Sequence, residues 1–506
     1  MRVLLEGGNA VDAAVATALA LAATYPQAGN LAGGGFMLIR TPEGDGHLLD
    51  YRECAPRAVD SSLFAGADAH WARGGMAVGV PGTIAGLAMA VDRFGTWSWD
   101  RLVKPAIELA EHGTWVTDRQ ARYFGLYLED LKRYPETVRA LLPPGGVWRP
   151  GDLFQNPDLG RTLRELADRG PSAFYDGWIG EAVVKTVRAH GGVLDLQDLA
   201  DYRPVWRQPY QRRVFGHDIM TTPLPSGGGF VVLLSLGLLE ASGATSLPVR
   251  SPERYALLAR AFRVAFALRT EFAGDPSLVP PDVLDRHQKL MQASFGANSL
   301  SDLEHQLGLE RMAPDTTPSP PRDTTNMCVI DRSGMAVANT YSLNTLFGAK
   351  LVADGTGMLL NNTLDDFGIL PDVPNYYFMF EGKHNRLTPG VRPLGNMAPT
   401  IISQGDHIEL AIGGSGGPRI PTAIVQTILG MYGNGLAMAQ AAALPRVHHQ
   451  CRPTQLDVED SLSASDNESL ERRGFDVVQF PRLGILSAVQ YDVQARTLLA
   501  LLDTRF

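Results

Sequence analysis

PRDTTNMCVIDRSGMAVANTYSLNTLFG, residues 321–348, is the stretch that decides the fold. Two runs rich in β-forming residues, 326–331 and 335–343, flank a short loop that ends in Gly334. Glycine suits the left-handed position of a three-residue hairpin loop. The sequence therefore predicts a β-hairpin at this place.

The register of this hairpin follows from its loop. A hairpin centred on the loop pairs Val329 with Val337. Carried to the open end, the same register sets Ser342 opposite Thr324, although a single bulge would shift the pairing by one residue. The prediction thus places two hydroxyl side chains across from each other at the end of a strand pair.

The segment before Thr324 is rich in proline. MAPDTTPSPP, residues 312–321, cannot pair as a central strand and is typical of an exposed linker. A cut just before Thr324 would leave a threonine that is both nucleophile and N-terminus, with an α-amine of pKa roughly 7.7–8.0 as general base. These residues by themselves favour an ordinary hairpin after a linker, with threonines chosen for β-propensity.

Composition limits the classes of function. The chain has 506 residues, 45% of them hydrophobic and 20% charged, which allows a large buried core. The net charge is −9 with no basic stripe, so nucleic acid is not an expected partner. Cys54, Cys328 and Cys451 are scattered and no HExxH or CxxC pattern occurs, so neither a disulfide framework nor a metal site is predicted.

No membrane or export segment is predicted from the chain as given. The longest mostly apolar run, residues 10–23, is too short to span a bilayer. It also lacks the basic leader and the cleavage pattern of a signal peptide. We therefore expect no membrane partner and a cytoplasmic location.

A glycine turn between a strand and a helix is predicted within residues 408–433, IELAIGGSGGPRIPTAIVQTILGMYG. Gly416 and Gly417 would place backbone N–H groups at the start of the helix. Such groups suit an oxyanion hole, because they point toward developing negative charge. An ordinary strand-to-helix turn would use the same glycines.

Charged residues follow two other predicted strands. Arg52 and Glu53 come directly after one of them, and an arginine there can hold a carboxylate through two hydrogen bonds. A structural salt bridge with Glu53 or another acid is the alternative. GMLLNNTLDDF, residues 357–367, is predicted as a short strand that ends in a loop with Asp366. The irregular, proline-containing stretch 368–399 is typical of a lid.

Nine blocks of the chain, in this order, resemble the γ-glutamyltranspeptidase family. They are GGNAVDAAVATALALAATYPQAGNLAGGGFMLIR, DYRECAPRA, GVPGTIAGL, LPSGGG, DTTNMCVIDRSGMAVANTYSLN, GMLLNNTLDDF, RPLGNMAPT, GGSGGPRI and PRVHHQ. Each block is weak alone, but the ordered set is specific and extends from about residue 5 to the end. The resemblance makes the cut before Thr324 the favoured interpretation.

The resemblance implies a fold and a maturation step. The fold is α+β, a four-layer αββα sandwich of the N-terminal nucleophile hydrolase type. The precursor would cleave itself between Asp323 and Thr324 into a large segment, 1–323, and a small segment, 324–506, which together form one αββα unit. No metal or organic cofactor is implied, and a higher homo-oligomer stays open.

The resemblance also implies roles for the reacting groups. Thr324 matches the nucleophile. Ser342 stands where the family usually has a threonine that supports the nucleophile. Gly416 and Gly417 match the glycines of the oxyanion hole.

The substrate-binding residues are partly altered. Arg52 matches the arginine that holds the substrate α-carboxylate, and Asn344 and Asp366 match residues that hold the α-amino group. Three departures concern the same pocket.

In the first two, Gly395 and Asn396 replace a pair of serines beside the α-carboxylate. In the third, Thr363 stands where the family commonly has Gln or Glu. A further departure is Asn326, which replaces a histidine two residues after the nucleophile. Because such pockets discriminate through specific hydrogen bonds, these changes bear on the substrate more than on the reaction type.

Three functions follow as hypotheses. The favoured one is hydrolysis or transfer of γ-glutamyl, glutathione-like amides through a threonyl ester. The second keeps the nucleophile but assigns it another acyl or amide substrate, because the α-carboxylate pocket is altered. The third is an uncleaved, non-catalytic protein that binds small acids through Arg52 and Asp366.

Overall fold

A computed structural model describes residues 1–64, 72–309, 324–370, 372–492, 495 and 497–505. The predicted linker 312–321 and Asp323, on the far side of the predicted cut, lie outside the described residues. No helix in the described part of the chain combines the length and apolar character needed to cross a membrane.

The strands are numbered in chain order as follows: β1 Gly34–Arg40, β2 Gly46–Asp50, β3 Thr114–Trp115, β4 Leu153–Phe154, β5 Val205–Arg207, β6 Tyr210–Val214, β7 His217–Thr221, β8 Thr325–Ile330, β9 Ala336–Ser342, β10 Thr400–Gln404, β11 His407–Ser415, β12 Val447–His448, β13 Leu456–Glu459, β14 Val477–Phe480, β15 Ile485–Asp492 and β16 Thr497–Leu502. Two large antiparallel sheets have the orders β5-β2-β1-β9-β8 and β16-β15-β11-β10-β7-β6. Smaller sheets are β12-β13-β14 and β3-β4.

The helices are α1 Arg2–Leu5, α2 Ala10–Thr24, α3 Thr83–Phe94, α4 Trp99–His112, α5 Asp118–Leu126, α6 Leu128–Leu131, α7 Pro135–Leu141, α8 Pro157–Arg169, α9 Trp178–Ala189, α10 Leu196–Asp201, α11 Gly227–Ala241, α12 Pro252–Phe272, α13 Pro281–Gln292, α14 Ser299–Gln306, α15 Arg419–Ile428, α16 Met438–Ala442 and α17 Ala464–Arg472. Helix α2 is an example of a helix that is buried on nearly all of its sides because its sequence is apolar. Asn9 caps it through a capping box with Asp12, and its alanine- and leucine-rich surface packs nearly all round.

The two large sheets face each other between two layers of helices. Helices α2, α3, α4, α8 and α9 share one hydrophobic core with the five-stranded sheet. Helices α11, α12 and α15 share another with the six-stranded sheet. A third core, which includes Phe36, Leu38, Ile401 and Ala411, lies between the sheets. This order of layers confirms the predicted four-layer αββα sandwich.

The hairpin β8–β9 has the predicted register. Val329 pairs with Val337, and Thr325 pairs with Tyr341 with no shift between them. The next pair outward is therefore Thr324 and Ser342. Strand β9 also pairs with β1, and β8, which follows Thr324, is an edge strand of this sheet in the described part of the chain.

The strand predicted within residues 357–367 is wrong. Leu359 and Leu360 make only isolated bridges, and Thr363–Asp366 is a turn of 3₁₀-helix. The reason is that buried asparagine side chains make the hydrogen bonds that a neighbouring strand would otherwise make. The Nδ2 of Asn361 donates to the backbone carbonyls of two distant loops, at 2.9 and 3.0 Å.

Candidate active site

One small cleft brings together segments that are far apart in the chain. Its lining residues are Arg52, Thr324, Ser342, Asn344, Asp366, Tyr377, Gly395, Asn396, Met397, Gly417 and Ile420. Of the predicted site residues that the structure describes, Gly416 and Thr363 lie just outside this lining. The free volume is about 20 Å³, room for about one water molecule.

Thr324 lies at the head of strand β8 and is 6% exposed. Alternate residues of a strand share a face, so Thr324 and Asn326 point the same way. The amide of Asn326 lies 2.7 Å from the Thr340 hydroxyl and packs on Gly413 of β11, where a Cβ would come within 2.1 Å of it. That face is therefore the one between the sheets, and it directs Thr324 toward the end of β11.

Ser342 and Asn344 form a tight turn at the end of β9. The Ser342 hydroxyl accepts from the Asn344 N–H at 3.0 Å and donates to the Asn344 carbonyl at 3.2 Å. Asn344 has a left-handed φ of +81°, which asparagine tolerates better than most residues. Its Nδ2 donates to the Asn362 carbonyl at 3.2 Å, so both its backbone and its side chain are fixed.

Gly416 and Gly417 connect β11 to α15 in conformations that favour glycine, with φ of +131° and +58°. Their carbonyls accept from Arg419 N at 3.2 Å and from Ile420 N at 3.1 Å. Within the described residues, neither glycine N–H donates to a protein acceptor. Two amides thus stay open at the positive end of a helix, which is the arrangement an oxyanion requires.

Arg52 is 1% exposed and holds two carboxylates. One guanidinium nitrogen pairs with Asp366, and the other lies 3.3 Å from Glu53. The Thr363 hydroxyl donates to the second oxygen of Glu53 at 2.7 Å. The salt bridge to Glu53 that the sequence left open is thus present together with a contact to Asp366.

Burial controls the charge of these groups. It raises the pKa of Asp366 to about 6, although the Arg52 guanidinium pulls that value down. Burial also raises the pKa of Glu53, again against the pull of Arg52. The pKa of Asp366 therefore lies above that of an ordinary aspartate.

Gly395 and Asn396, which replace the two serines, lie beside Arg52. The Gly395 backbone is held at both ends, donating to Pro225 O and accepting from Gly227 N, each at 2.9 Å. A Cβ on Gly395 would lie 3.8 Å from the Arg52 Nε, which is ordinary contact. The Oδ1 of Asn396 is buried and has no hydrogen-bond partner among the described residues. This side of the cleft has both spare room and a polar atom without a partner.

Tyr377 is a cleft residue that the sequence did not identify. It lies in the stretch 368–399, whose only regular element in the described residues is the 3₁₀ turn Lys383–Asn385. Its hydroxyl donates to the Asn344 carbonyl at 2.6 Å. Its ring covers Gly417 so closely that a Cβ there would lie 2.7 Å from Cε1. Two neighbouring tyrosines in an irregular segment were the only signal, and the lid itself stays a prediction.

Two features define the class of protein. One is the four-layer sandwich, and the other is a threonine at the start of β8, on the face between the two sheets, with a glycine turn beside it. This class is the N-terminal nucleophile hydrolase fold. A family model described as gamma-glutamyltranspeptidase matches residues 1–506. The chain belongs to the γ-glutamyltranspeptidase family.

Individual relatives agree with this assignment. The chain is 35% identical over 500 residues to the glutathione hydrolase proenzyme of Escherichia coli, covering 96% of this chain and 85% of the relative. It is 36% identical over 510 residues to the proenzyme of the same name from Pseudomonas aeruginosa, covering 98% and 89%. The crystal structure of cephalosporin acylase from Bacillus halodurans has the same fold, with a TM-score of 0.86, 24% identity and coverage of 100% and 91%. The chain is therefore an enzyme of the hydrolase and acyltransferase kind, while the roles of its single residues stay predictions.

Proposed function

We propose that this protein hydrolyses or transfers the γ-glutamyl group of glutathione-like amides through an ester on Thr324, after a cut between Asp323 and Thr324. The observation that carries the proposal is the cleft itself. It places Thr324 and Gly417 beside Arg52, Asn344 and Asp366. Relatives named glutathione hydrolase proenzyme support the same substrate class.

The chemistry needs only groups of this chain and water. The freed α-amine of Thr324 takes the proton of its own hydroxyl, and the oxygen attacks the amide carbonyl. The N–H groups of Gly416 and Gly417 stabilise the resulting oxyanion, an effect of about 3–4 kcal/mol per donor. The ammonium returns its proton to the leaving amine as the C–N bond breaks. Water or a second amine then attacks the ester and releases Thr324.

Substrate binding proceeds by an exchange of ion pairs. In the structure Arg52 and Asp366 contact each other directly, and both line the cleft. The α-carboxylate of a γ-glutamyl group would replace Asp366 on Arg52, and its ammonium would replace Arg52 on Asp366. Both buried charges keep a partner. An acyl group without an ammonium would leave Asp366 unpaired, at a cost of about 3–5 kcal/mol.

The test combines mass spectrometry with a rate. Purified protein should contain two chains split before Thr324 and should hydrolyse a γ-glutamyl anilide. Thr324→Ala should stay intact and inactive, while Thr325→Ala, next to it on the opposite face of β8, should split and react. Turnover by an intact chain, or by Thr324→Ala, would contradict the proposal.

A second candidate keeps the nucleophile and changes the acyl group. It is favoured by Gly395, which has no side chain beside Arg52, and by the buried Oδ1 of Asn396, which has no partner among the described residues and can accept a hydrogen bond from another substituent. Rates on glutaryl and γ-glutamyl anilides distinguish the candidates. A kcat/KM at least about 100-fold higher for the γ-glutamyl compound, the equivalent of roughly 3 kcal/mol, supports the first candidate. A preference for the glutaryl compound supports the second.

A further inference from the structure

PRVHHQ, residues 445–450, is a buried segment to which the proposed chemistry gives no role. Its Val447 and His448 form strand β12. Both bind helix α15, which begins just after the glycine turn. The side chain of Gln426 exchanges two hydrogen bonds of 3.0 Å with the Val447 backbone, and Thr422 Oγ1 lies 3.0 Å from His448 Nδ1. The segment is thus fastened to the helix that carries the predicted oxyanion hole.

Arg446 holds a loop that lies against Gly416, the first of the two glycines. Its guanidinium donates to the carbonyls of Leu483 and Gly484, at 3.3 and 3.0 Å, and pairs with Asp503 at 3.0 Å. Gly484 in turn lies directly against Gly416, because a Cβ on Gly416 would be 3.0 Å from the Gly484 Cα. The loop at Gly484 therefore limits where the backbone of Gly416 can lie.

Gln450 fixes the residue that covers the second glycine. Its Nε2 donates to the carbonyls of Tyr377 and Phe378, both at 3.1 Å. The Tyr377 ring lies on Gly417 and its hydroxyl is anchored at Asn344. The backbone and the side chain of Tyr377 are thus held from two sides, and the ring limits where Gly417 can lie.

We propose that Arg446 and Gln450 are positioning residues for the oxyanion hole, Arg446 acting through Gly484 on Gly416 and Gln450 acting through Tyr377 on Gly417. The inference rests on the proposed function, because it needs an oxyanion to be stabilised. Hydrogen-bond donors must be held within about 0.5 Å of their productive geometry, and a misplacement of about 1 Å costs on the order of 100-fold in rate. Neither side chain lines the cleft, so substrate binding should be little affected.

The test uses Arg446→Lys and Gln450→Met in the cleaved enzyme. Arg446 also donates to the Ala442 carbonyl at 3.1 Å, and lysine keeps the charge but cannot replace a guanidinium that serves four acceptors, because it has three donors on a single nitrogen. Methionine has a volume similar to that of glutamine and no donor. We expect kcat per cleaved chain to fall about 10- to 100-fold with KM within about threefold. The inhibition constant of a γ-glutamyl boronic acid, whose tetrahedral adduct mimics the intermediate, should rise by the same factor as kcat falls.

Matched controls separate positioning from general damage. Arg254 is similarly buried and donates to the Ala244 carbonyl and to Asn434, and the Nε2 of buried Gln120 donates to the Thr24 carbonyl at 2.7 Å. Arg254→Lys and Gln120→Met should leave kcat and the boronate constant within about threefold, although they lose similar contacts.

Three outcomes separate the possibilities. An active wild type with Arg446→Lys and Gln450→Met indistinguishable from their controls, or changed in KM alone, overturns the positioning roles and leaves the proposed function intact. A wild type that neither splits nor turns over overturns the proposed function, and this inference with it. If thermal unfolding shows that Arg446→Lys does not fold, the comparison of Gln450→Met with Gln120→Met supports or overturns the inference by the same criteria.

Discussion

Gly417→Ala is the substitution whose effect can be worked out most fully. An L-residue at a φ of +58° costs about 1–2 kcal/mol of backbone strain. The new Cβ would also lie 2.7 Å from the Tyr377 Cε1, so the ring must move and strain its 2.6 Å hydrogen bond to Asn344 O. Loss of that bond adds about 1 kcal/mol. We expect a total loss of about 2–3 kcal/mol in the free energy of unfolding.

The catalytic effect of Gly417→Ala should exceed its effect on stability. Relieving the contact would displace the amide that we propose faces the developing oxyanion, and loss of one such donor costs about 10²–10³ in kcat. KM for a γ-glutamyl anilide should change little, because the glycine amide binds the intermediate more strongly than the ground state.

Gly405→Ala is the matched control. Gly405 has the same φ of +58°, lies in the turn between β10 and β11, and has no atom within 4 Å of its would-be Cβ. The Gly405→Ala variant should lose stability only by the amount of the backbone strain, and its kcat should be unchanged. The assay measures kcat, KM and chemical unfolding for both variants. A kcat for Gly417→Ala within about threefold of that for Gly405→Ala would refute the predicted oxyanion role.

Three further predictions concern the charged side of the cleft. Because burial raises the pKa of Asp366 to about 6, this carboxylate is charged above that pH and neutral below it. Inhibition by L-glutamine should therefore weaken as the pH falls from about 7 to about 5. Asp366→Asn should be inhibited weakly at every pH, and a pH dependence that persists in this variant would contradict the proposed contact between Asp366 and the ammonium. Gly395→Ser has room beside Arg52 and should raise the preference for a γ-glutamyl over a 4-aminobutyryl anilide, which keeps the ammonium but lacks the α-carboxylate, about tenfold or more, whereas an unchanged ratio would count against an α-carboxylate site there. Thr363→Val removes the donor to Glu53 and should lower the free energy of unfolding by about 1.5–3 kcal/mol in urea titrations, whereas equal stability would show that this hydrogen bond contributes nothing.

The central hairpin and its register were predictable because the determinants are local. A glycine-ended loop sets the pairing of Val329 with Val337, and the two-residue period of a strand carries that pairing to Thr324 and Ser342. The glycine turn at Gly416 was predictable for a similar reason, since few other residues adopt its conformation. The assignment of single roles came from the ordered blocks of the family.

Contacts between distant segments were not predictable. The apolar residues within 357–367 indicate a strand. In the structure, however, the Asn361 side chain binds two loops that are distant in sequence and come close to it only in the folded chain. Arg52 and Asp366 are far apart in sequence, so a ligand group could be predicted for each of them, but that they pair directly with each other could not. Tyr377 was missed because an irregular segment carries no periodicity from which to place a side chain.

The central claim is that Thr324 is both the new N-terminus and the nucleophile, and covalent labelling tests it most directly. Purified protein is treated with an electrophilic glutamine analogue, and the separated chains are sequenced by mass spectrometry. We expect the label on a chain that begins at Thr324, attached to that residue, and no label on Thr324→Ala. A label on any other residue, or on an intact chain of 506 residues, would contradict the claim.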